Sequence, residues 1–182
     1  LASIAIAHEL GVSDKNIIKA LCNFQGISRR FHVRGEIKIN NINLTLIDDY
    51  AHHPTEIRST FEAIRSGWPA QRLIVIYQPH RFTRMRDLFE DFSDILSQTD
   101  RLIVFDVYPA GEEPIPGSDG RSLCRAIRSR GKVDPIFLEH KESVFEILPD
   151  VVKENDLLLT LGAGDIGSLS LQLYENYSEA IH

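Results

Sequence analysis

The sequence is poor in cysteine and contains no long apolar run. Its two cysteines, Cys22 and Cys124, lie far apart inside apolar helical patterns, which argues against a disulfide framework and favours a reducing compartment, the cytoplasm. Apolar runs such as Leu73–Tyr77 are far shorter than the roughly 20 residues that span a bilayer. No basic residue precedes the apolar first residues, so a secretory signal is not expected.

Basic residues are also too few for a nucleic-acid-binding protein. Lys and Arg number 20 against 26 Asp and Glu, a net charge of −6, whereas a phosphate backbone requires a basic surface. Hydrophobic residues make up 43% and charged residues 25% of the 182 residues, which is typical of a globular chain. This length suits one domain with room for part of a second.

Residues 1–26 contain two short apolar helical patterns that are too small to form a core. The first ends at Gly11, and the second begins at Ser13 and places Ile17 and Leu21 on one face. Helices of this length depend on packing against other structure. Because the chain begins without methionine inside such a pattern, we expect residues 1–26 to be the end of a preceding domain.

After an arginine-rich connector, predicted strands and helices alternate along the sequence. Period-two alternation on both sides of Asn40-Asn41 predicts a hairpin, and doubly apolar runs such as Leu73–Ile76 predict buried parallel strands. We therefore expect a doubly wound, mostly parallel sheet of about six strands, with an N-terminal hairpin strand and helices on both faces. The predicted strands are 37–39, 42–46, 72–77, 101–107, 135–138 and 156–161, and the predicted helices are 55–66, 85–98, 122–130, 141–153 and 166–177.

Titratable residues are concentrated in the segments that follow the predicted strands. Ligands of such sheets bind beyond the carboxyl ends of the strands, so we expect these segments to form one rim. They are DDYAHHPTE at 48–56, QPHRFTR at 78–84, DVYPAGE at 106–112 and GAGDIG at 162–167.

Arg81 and Arg84 stand three residues apart at a predicted helix entrance. Both guanidinium groups can point the same way beside unpaired backbone amides, which suits a carboxylate or a phosphate. The alternative is a solvated pair of surface arginines that partner Asp87 and Glu90. The sequence leaves both interpretations open.

The acidic pair Asp48 and Asp49 and the imidazoles of His52 and His53 form the densest polar cluster. One aspartate could hold a sugar hydroxyl, or the cluster could bind a metal, although no spacing here is diagnostic of a closed metal site. A third interpretation makes one aspartate a turn cap and one histidine a capping or core residue. We prefer the ligand-binding interpretation.

Three further segments could contribute to function. Gly162–Gly167 matches G-x-G-x-x-G, but the dinucleotide motif needs an acidic residue about twenty positions later, so a tight packed turn is favoured. The long loop 109–120 has the length of a functional lid. The basic run Arg29–Arg34 is either a solvated linker or a contact for a polyphosphate.

The four rim segments, in this order, resemble the C-terminal domain of the Mur ligases, in particular of the type that adds L-alanine first. The likeness covers essentially the whole chain and implies a Rossmann-like domain at 27–182, with residues 1–26 as a helical remnant of the central ATPase domain. No G-x-x-x-x-G-K-[ST] motif occurs, so the phosphate cradle lies elsewhere. We expect this chain to be inactive without the N-terminal and central domains.

The resemblance implies a cytoplasmic enzyme of peptidoglycan synthesis that uses ATP and Mg²⁺ to join L-alanine to UDP-N-acetylmuramate through an acyl phosphate. It implies that the central domain holds the Mg²⁺, and that neither nucleic acid nor a membrane is a partner. One alternative is the ligase that attaches a recycled murein tripeptide to the same UDP-sugar, and another is a non-catalytic nucleotide-binding module. The implied ATP-binding residues are Arg30, Asp49 and Tyr50, the implied catalytic residue is His52, and the implied alanine-binding residues are His52, Arg81 and Arg84, with His53 and His80 in support.

Overall fold

A computed structural model describes residues 1–24 and 27–178, which build one mixed six-stranded sheet with helices on both faces. The strands are β1 (His32–Ile39), β2 (Ile42–Asp49), β3 (Arg72–Tyr77), β4 (Arg101–Val104), β5 (Ile136–Phe137) and β6 (Asp156–Leu161). Their order is β1-β2-β6-β3-β4-β5, in which β1 is antiparallel to β2 and all other neighbours are parallel. The predicted doubly wound architecture is confirmed.

The predicted hairpin at Asn40-Asn41 is also present. Asn40 and Asn41 have φ values of 49° and 66°, and the ladder closes directly at the pair Ile39 and Ile42. Two residues with positive φ form the turn that matches the twist of the flanking strands, and asparagine tolerates this conformation. The second hairpin strand runs on to Asp49, three residues beyond its predicted end.

Helices cover the sheet on two sides and divide the core into two layers. The helices are α1 (Ala2–Glu9), α2 (Asp14–Cys22), α3 (Pro54–Gly67), α4 (Phe82–Asp87), α5 (Phe89–Leu96), α6 (Gly120–Ser129), α7 (Ser143–Val151) and α8 (Ile166–Tyr177). Helices α3, α5 and α6 enclose one layer, and α7 and α8 enclose the other.

The first hairpin strand begins at His32, five residues before its predicted start, and three elements after the hairpin also differ from the predicted extent. The helix expected at 85–98 is two helices, because the chain leaves helical geometry at Leu88 (φ −121°, ψ 23°), and the first of them begins earlier, at Phe82. Strand β4 ends before 107 because the Asp106 carboxylate accepts hydrogen bonds from the backbone N–H groups of Val107 and Gly120, which turns the chain. Strand β5 is only two residues long, and Pro135 before it has no backbone N–H to donate to the neighbouring strand.

The first two helices pack on each other and leave much of their apolar surface exposed. Of the predicted apolar face of α2, Ile17 is buried, whereas Leu21 is 50% exposed. The predicted domain boundary after residue 26 falls at residues 25–26, outside the described residues. None of the described helices is long and apolar enough to cross a membrane. The exposed large apolar residues of this segment are Leu1, Ile6, Leu10, Val12, Ile18, Leu21, Phe24 and Ile27.

An ion pair between Arg72 and the buried Asp156 joins the starts of strands β3 and β6, and its loss should destabilise the fold. Asp156, 1% exposed, accepts hydrogen bonds from Arg72 Nε and Nη2, both at 2.7 Å, and from the Lys153 backbone N–H at 2.7 Å. Asp156→Ala leaves the part-buried guanidinium with only the Val151 carbonyl, at 3.0 Å, so we expect a loss of about 3 kcal/mol in the free energy of unfolding, measured by denaturant titration. The exposed neighbour substitution Glu154→Ala should change it by less than about 0.5 kcal/mol, and equal effects would contradict the assignment.

Candidate functional site

The four polar segments meet at the carboxyl edge of the sheet, as the sequence predicts. Two of them are joined by backbone pairing beyond the ends of β3 and β4, in a parallel bridge between His80 and Tyr108. Tyr108 N–H donates to the Pro79 carbonyl at 2.8 Å, and Arg81 N–H donates to the Tyr108 carbonyl at 2.9 Å. This pairing fixes the two loops against each other.

A row of four rings crosses this edge from the end of β2 to the end of β4. The ring centroids of Tyr50 and His52 are 5.3 Å apart, those of His52 and His80 are 5.8 Å apart, and those of His80 and Tyr108 are 5.4 Å apart. The last pair is stacked, with an interplanar angle of 11°. The ring row contacts one residue of each of two pockets, since the Tyr50 ring lies 5.5 Å from the Arg30 guanidinium carbon and His80 Nδ1 lies 3.3 Å from Arg84 Nη1.

The first pocket, which we call the Asp49 pocket, has a volume of ≈ 420 Å³. The Asp49 carboxylate is buried and accepts hydrogen bonds from the Ala51 N–H at 2.9 Å, the Thr60 hydroxyl at 3.0 Å and the Phe31 N–H at 3.2 Å. These bonds fix a negative charge in the pocket wall. The lining residues are Arg30, Phe31, Asp49, Ala51, Glu56, Ser59, Thr60 and Ala63.

Arg30 is the exposed cation of the Asp49 pocket. Its Nη1 lies 3.6 Å from Glu56 Oε1, and its guanidinium carbon lies 5.5 Å from the centroid of the Tyr50 ring. The side chain is 53% exposed, so the guanidinium can still turn towards an anion. Arg30, Asp49 and Tyr50, for which the family resemblance implies ATP binding, therefore lie close together.

The preceding arginine has a structural role. Arg29 adopts a positive φ of 60°, and its guanidinium donates to the carbonyls of Gly162 at 2.7 Å and Gly164 at 3.2 Å. Its Nε also lies 3.5 Å from the Asp48 carboxylate. Arg29 thus ties the connector to the turn after β6, so the basic run is not a solvated linker at this position.

Asp48 does not line the Asp49 pocket; its side chain contacts Arg34 and Thr160 instead. It is 0% exposed and accepts hydrogen bonds from Arg34 Nη2 and from the Thr160 hydroxyl, each at 3.0 Å. A carboxylate with these partners serves to balance buried arginine charge. Within residues 1–24 and 27–178, no group of three or more His, Cys, Asp and Glu side chains is arranged to hold a metal ion.

The two adjacent histidines, His52 and His53, also have different roles. His53 caps α3, since its Nδ1 accepts a hydrogen bond from the Thr55 N–H at 3.3 Å, as one of the predicted alternatives states. The His52 Nδ1 lies 3.0 Å from the Tyr50 carbonyl oxygen, a position that makes it the donor. The His52 backbone N–H donates to the Glu56 carboxylate at 3.0 Å, so the imidazole is held in the ring row.

The second pocket, which we call the Arg81 pocket, has a volume of ≈ 560 Å³. It is lined by Arg81 and Arg84, which we call the clamp because together they could hold a carboxylate. Arg81 has a φ of 71°, an uncommon backbone conformation for a residue with a side chain, and it precedes α4. Arg84 Nη1 donates to the His80 carbonyl at 3.2 Å and lies 3.3 Å from His80 Nδ1. The lining residues are Arg81, Thr83, Arg84, Asp87 and Leu88.

The alternative interpretation of the two arginines, as surface partners of Asp87 and Glu90, is wrong. Asp87 pairs with Arg86 at 2.7 Å, and Glu90 pairs with Arg130 at 2.6 Å. The carboxylate beside the pocket belongs to Glu112, for which no sequence pattern predicts a role. Glu112, from the loop after β4, lies 3.5 Å from Arg81 Nη1.

Glu112 fixes its loop to the start of α4. Its Oε2 accepts a hydrogen bond from the Thr83 backbone N–H at 2.9 Å, and its Oε1 accepts one from the Thr83 hydroxyl at 2.7 Å. These bonds, together with the Arg81 charge, hold the pKa of Glu112 below its usual value. Because Ile115 also packs against the core, the loop 109–120 is anchored in this structure and is not an open lid.

His80, in the middle of the ring row, favours the neutral imidazole. Burial, followed by the positive charge of Arg84 and by smaller electrostatic effects of His52 and Arg81, lowers the pKa of His80. Since a guanidinium only donates, the 3.3 Å contact with Arg84 makes His80 Nδ1 an acceptor, which requires that nitrogen to be unprotonated. The His80 ring is therefore held as the neutral tautomer that carries its proton on Nε2.

The glycine-rich segment after β6 is a tightly packed turn, as the sequence favours. A Cβ on Gly162, whose φ is 145°, would lie 2.6 Å from the Gln78 carbonyl oxygen, and one on Gly164 would lie 2.5 Å from Gln78 Oε1. Gln78 Oε1 accepts the Ile166 N–H at 3.1 Å, so the first amide of α8 is already satisfied. The turn is therefore occupied by side chains of this chain where a dinucleotide phosphate would have to bind.

Comparison with known proteins gives the same assignment for most of the chain. A family model described as Mur ligase, glutamate ligase domain, matches residues 29–164. The UDP-N-acetylmuramate–L-alanine ligase of Methylococcus capsulatus is 53% identical over 182 residues, which are 100% of this chain and 39% of that protein. This chain therefore spans about two fifths of the curated relative that it matches.

Solved structures share the fold. The UDP-N-acetylmuramate-alanine ligase of Thermotoga maritima matches with a TM-score of 0.71 and 28% identity, over 95% of this chain and 35% of that one. A murein peptide ligase from Psychrobacter arcticus matches with a TM-score of 0.63 and 20% identity, over 98% of this chain and 36% of that one. At that lower identity the likeness concerns the fold alone.

The pKa of His80 should depend on Arg84. Arg84→Ala removes a nearby positive charge, so we expect the pKa of His80, followed by NMR titration, to rise towards the ordinary value of about 6.5. In the unsubstituted protein the neutral ring stabilises the fold above about pH 6.5, and this contribution falls as the pH drops below that value, because the unfolded chain takes up the proton first. Arg86→Ala, on the same helix, should leave the pKa of His80 unchanged; a shift there and none for Arg84→Ala would contradict the assignment.

Proposed function

The chain belongs to the Mur ligase family, and from this we propose that it is the C-terminal domain of an ATP-dependent ligase that joins L-alanine to UDP-N-acetylmuramate. The observation that carries the proposal is the presence of the Asp49 pocket and the Arg81 pocket on one edge, each in contact with the ring row. The 53% identity to a relative of that name supports the choice of L-alanine within the family.

The Asp49 pocket is the proposed nucleotide side of the site. A fixed carboxylate such as Asp49 can accept hydrogen bonds from ribose hydroxyls, the Tyr50 ring can contact the adenosine, and the exposed Arg30 can approach the phosphates. The sequence has no P-loop, and we assign no ligand for Mg²⁺ to this chain. In this proposal the central domain supplies the phosphate cradle and the Mg²⁺, and the carboxyl edge closes over them.

The Arg81 pocket is the proposed amino-acid side of the site. Two guanidinium groups, on Arg81 and Arg84, provide paired donors that match the geometry of a carboxylate. Amide formation requires the amine of alanine to lose protons as it attacks the acyl phosphate, and an imidazole can accept one. We propose His52 for this role, with the neutral His80 in support between it and Arg84.

Helices α1 and α2 are proposed to be the last part of the central domain. Their exposed apolar residues, which include Ile6, Leu10 and Ile18, need a partner surface, and the family match begins only after them, at residue 29. The matched relative contains more than twice the length of this chain, which leaves room for such a domain. The proposed location is the cytoplasm, where ATP is available.

Phosphate release by the full-length protein and by this chain alone tests the proposal. The full-length protein should release phosphate from ATP only when both UDP-N-acetylmuramate and L-alanine are present, and this chain alone should release none, because it lacks the phosphate cradle. Turnover by the chain alone would contradict the division of roles. Replacement of L-alanine by the murein tripeptide without loss of rate would favour the recycling ligase, and no release under any condition would favour the non-catalytic module.

The two arginines should determine the requirement for L-alanine. In the full-length protein, Arg81→Ala or Arg84→Ala removes a charged hydrogen-bonding anchor that contributes about 1.5 to 3 kcal/mol, so KM for L-alanine should rise roughly tenfold to a hundredfold. KM for ATP should change far less. Arg58→Ala, an exposed arginine on α3 outside both pockets, is the matched control. An unchanged alanine requirement in both pocket variants would remove the clamp assignment.

A further inference from the structure

The charges around the Arg81 pocket sum to a single positive charge. Arg81 and Arg84 contribute two guanidinium groups, and Glu112 contributes one carboxylate at 3.5 Å from Arg81. The other carboxylate of the lining, on Asp87, is compensated by Arg86 at 2.7 Å. His80, which contacts Arg84, is neutral. Two positive charges and one negative charge leave a net charge of +1, which one substrate carboxylate balances.

Glu112 is held in its position by groups other than the clamp. Both of its short hydrogen bonds, at 2.9 Å and 2.7 Å, come from Thr83, whereas the contact with Arg81 is long. The glutamate therefore keeps its place when a substrate engages the arginine. At 3.5 Å it also leaves Arg81 with donors for a second carboxylate. The loop thus presents a permanent negative charge to the pocket.

We propose that Glu112 is a specificity-determining residue, which matches the pocket to amino acids with one carboxylate and disfavours those with a second. The inference rests on the proposed function of the Arg81 pocket. An acidic side chain bound there would bring a second negative charge towards Glu112, after the first carboxylate has already balanced the net charge of the pocket. For two unit charges on the order of 6 Å apart at the effective dielectric constant of a protein surface, such repulsion changes binding by about tenfold or more. Repulsion of this kind is a common means of discrimination between similar ligands.

Competition against L-alanine in the full-length ligase tests this inference. L-Aspartate and L-asparagine have nearly the same size and differ in the side-chain charge, so the ratio of the concentrations that halve L-alanine addition reports charge and not volume. The variants are Glu112→Gln, which removes the charge and keeps an acceptor, and Glu112→Asp, which keeps the charge. Glu113→Gln, at the exposed adjacent position, is the matched control.

We expect the unsubstituted enzyme to require much more L-aspartate than L-asparagine, and Glu112→Gln to reduce this ratio about tenfold. Glu112→Asp and Glu113→Gln should keep it. An unchanged ratio in Glu112→Gln would overturn the proposal and leave Glu112 as a cap of α4. Loss of L-alanine addition by Glu112→Gln, or no competition by either amino acid, would also overturn it, because geometry or size would then determine selection. If the unsubstituted protein does not add L-alanine at all, the proposed function fails, and that result is separate from the ratio.

Discussion

The backbone pairing of His80 with Tyr108 is the interaction on which the site depends. It continues the sheet for one bridge beyond β3 and β4, and it requires Arg81 to adopt a left-handed backbone that costs on the order of 1 to 2 kcal/mol. Two backbone hydrogen bonds, both between the loops, offset that cost. With the loops joined in this way, the His80 ring stacks on Tyr108, Arg81 stands at the entrance of α4, and Glu112 reaches Thr83.

At this edge, one residue of each adjacent pair supports the fold, and its neighbour faces the proposed ligand site. In an extended chain successive side chains point to opposite sides, so one residue of a pair faces the protein and its neighbour faces the pocket. The edge thus obtains a rigid support and an accessible polar surface from the same short segments. The extended pairs, with the structural residue first, are Asp48 and Asp49, and His53 and His52. Arg29 and Arg30 have the same division of roles in a turn, where Arg29 has a positive φ.

The sequence predicts the architecture and the location of the site, because both depend on local patterns. Alternation gives the hairpin, doubly apolar runs give the parallel strands, and the ends of parallel strands meet at one edge. The break at Leu88 is not predictable in this way, since neither glycine nor proline marks it. The role of Glu112 is not predictable from the sequence either. It depends on contacts with Arg81 and Thr83, which are 31 and 29 residues away and come close only in the folded sheet. For the same reason, patterns alone do not decide which residue of each adjacent pair faces the pocket.

The two outer strands of the sheet are poor templates for aggregation. Unpaired strand edges attract other chains, and natural proteins limit this by short or irregular edge strands. Here one border strand, β5, has two residues, and the other, β1, has an irregular register between Val33 and Gly35. At Gly35, where φ is 135°, the Tyr174 ring fills the space beside the backbone. If this chain is produced alone, unwanted self-association should therefore begin at its uncovered N-terminal helices, and added polar residues there should improve its solubility more than changes to the sheet.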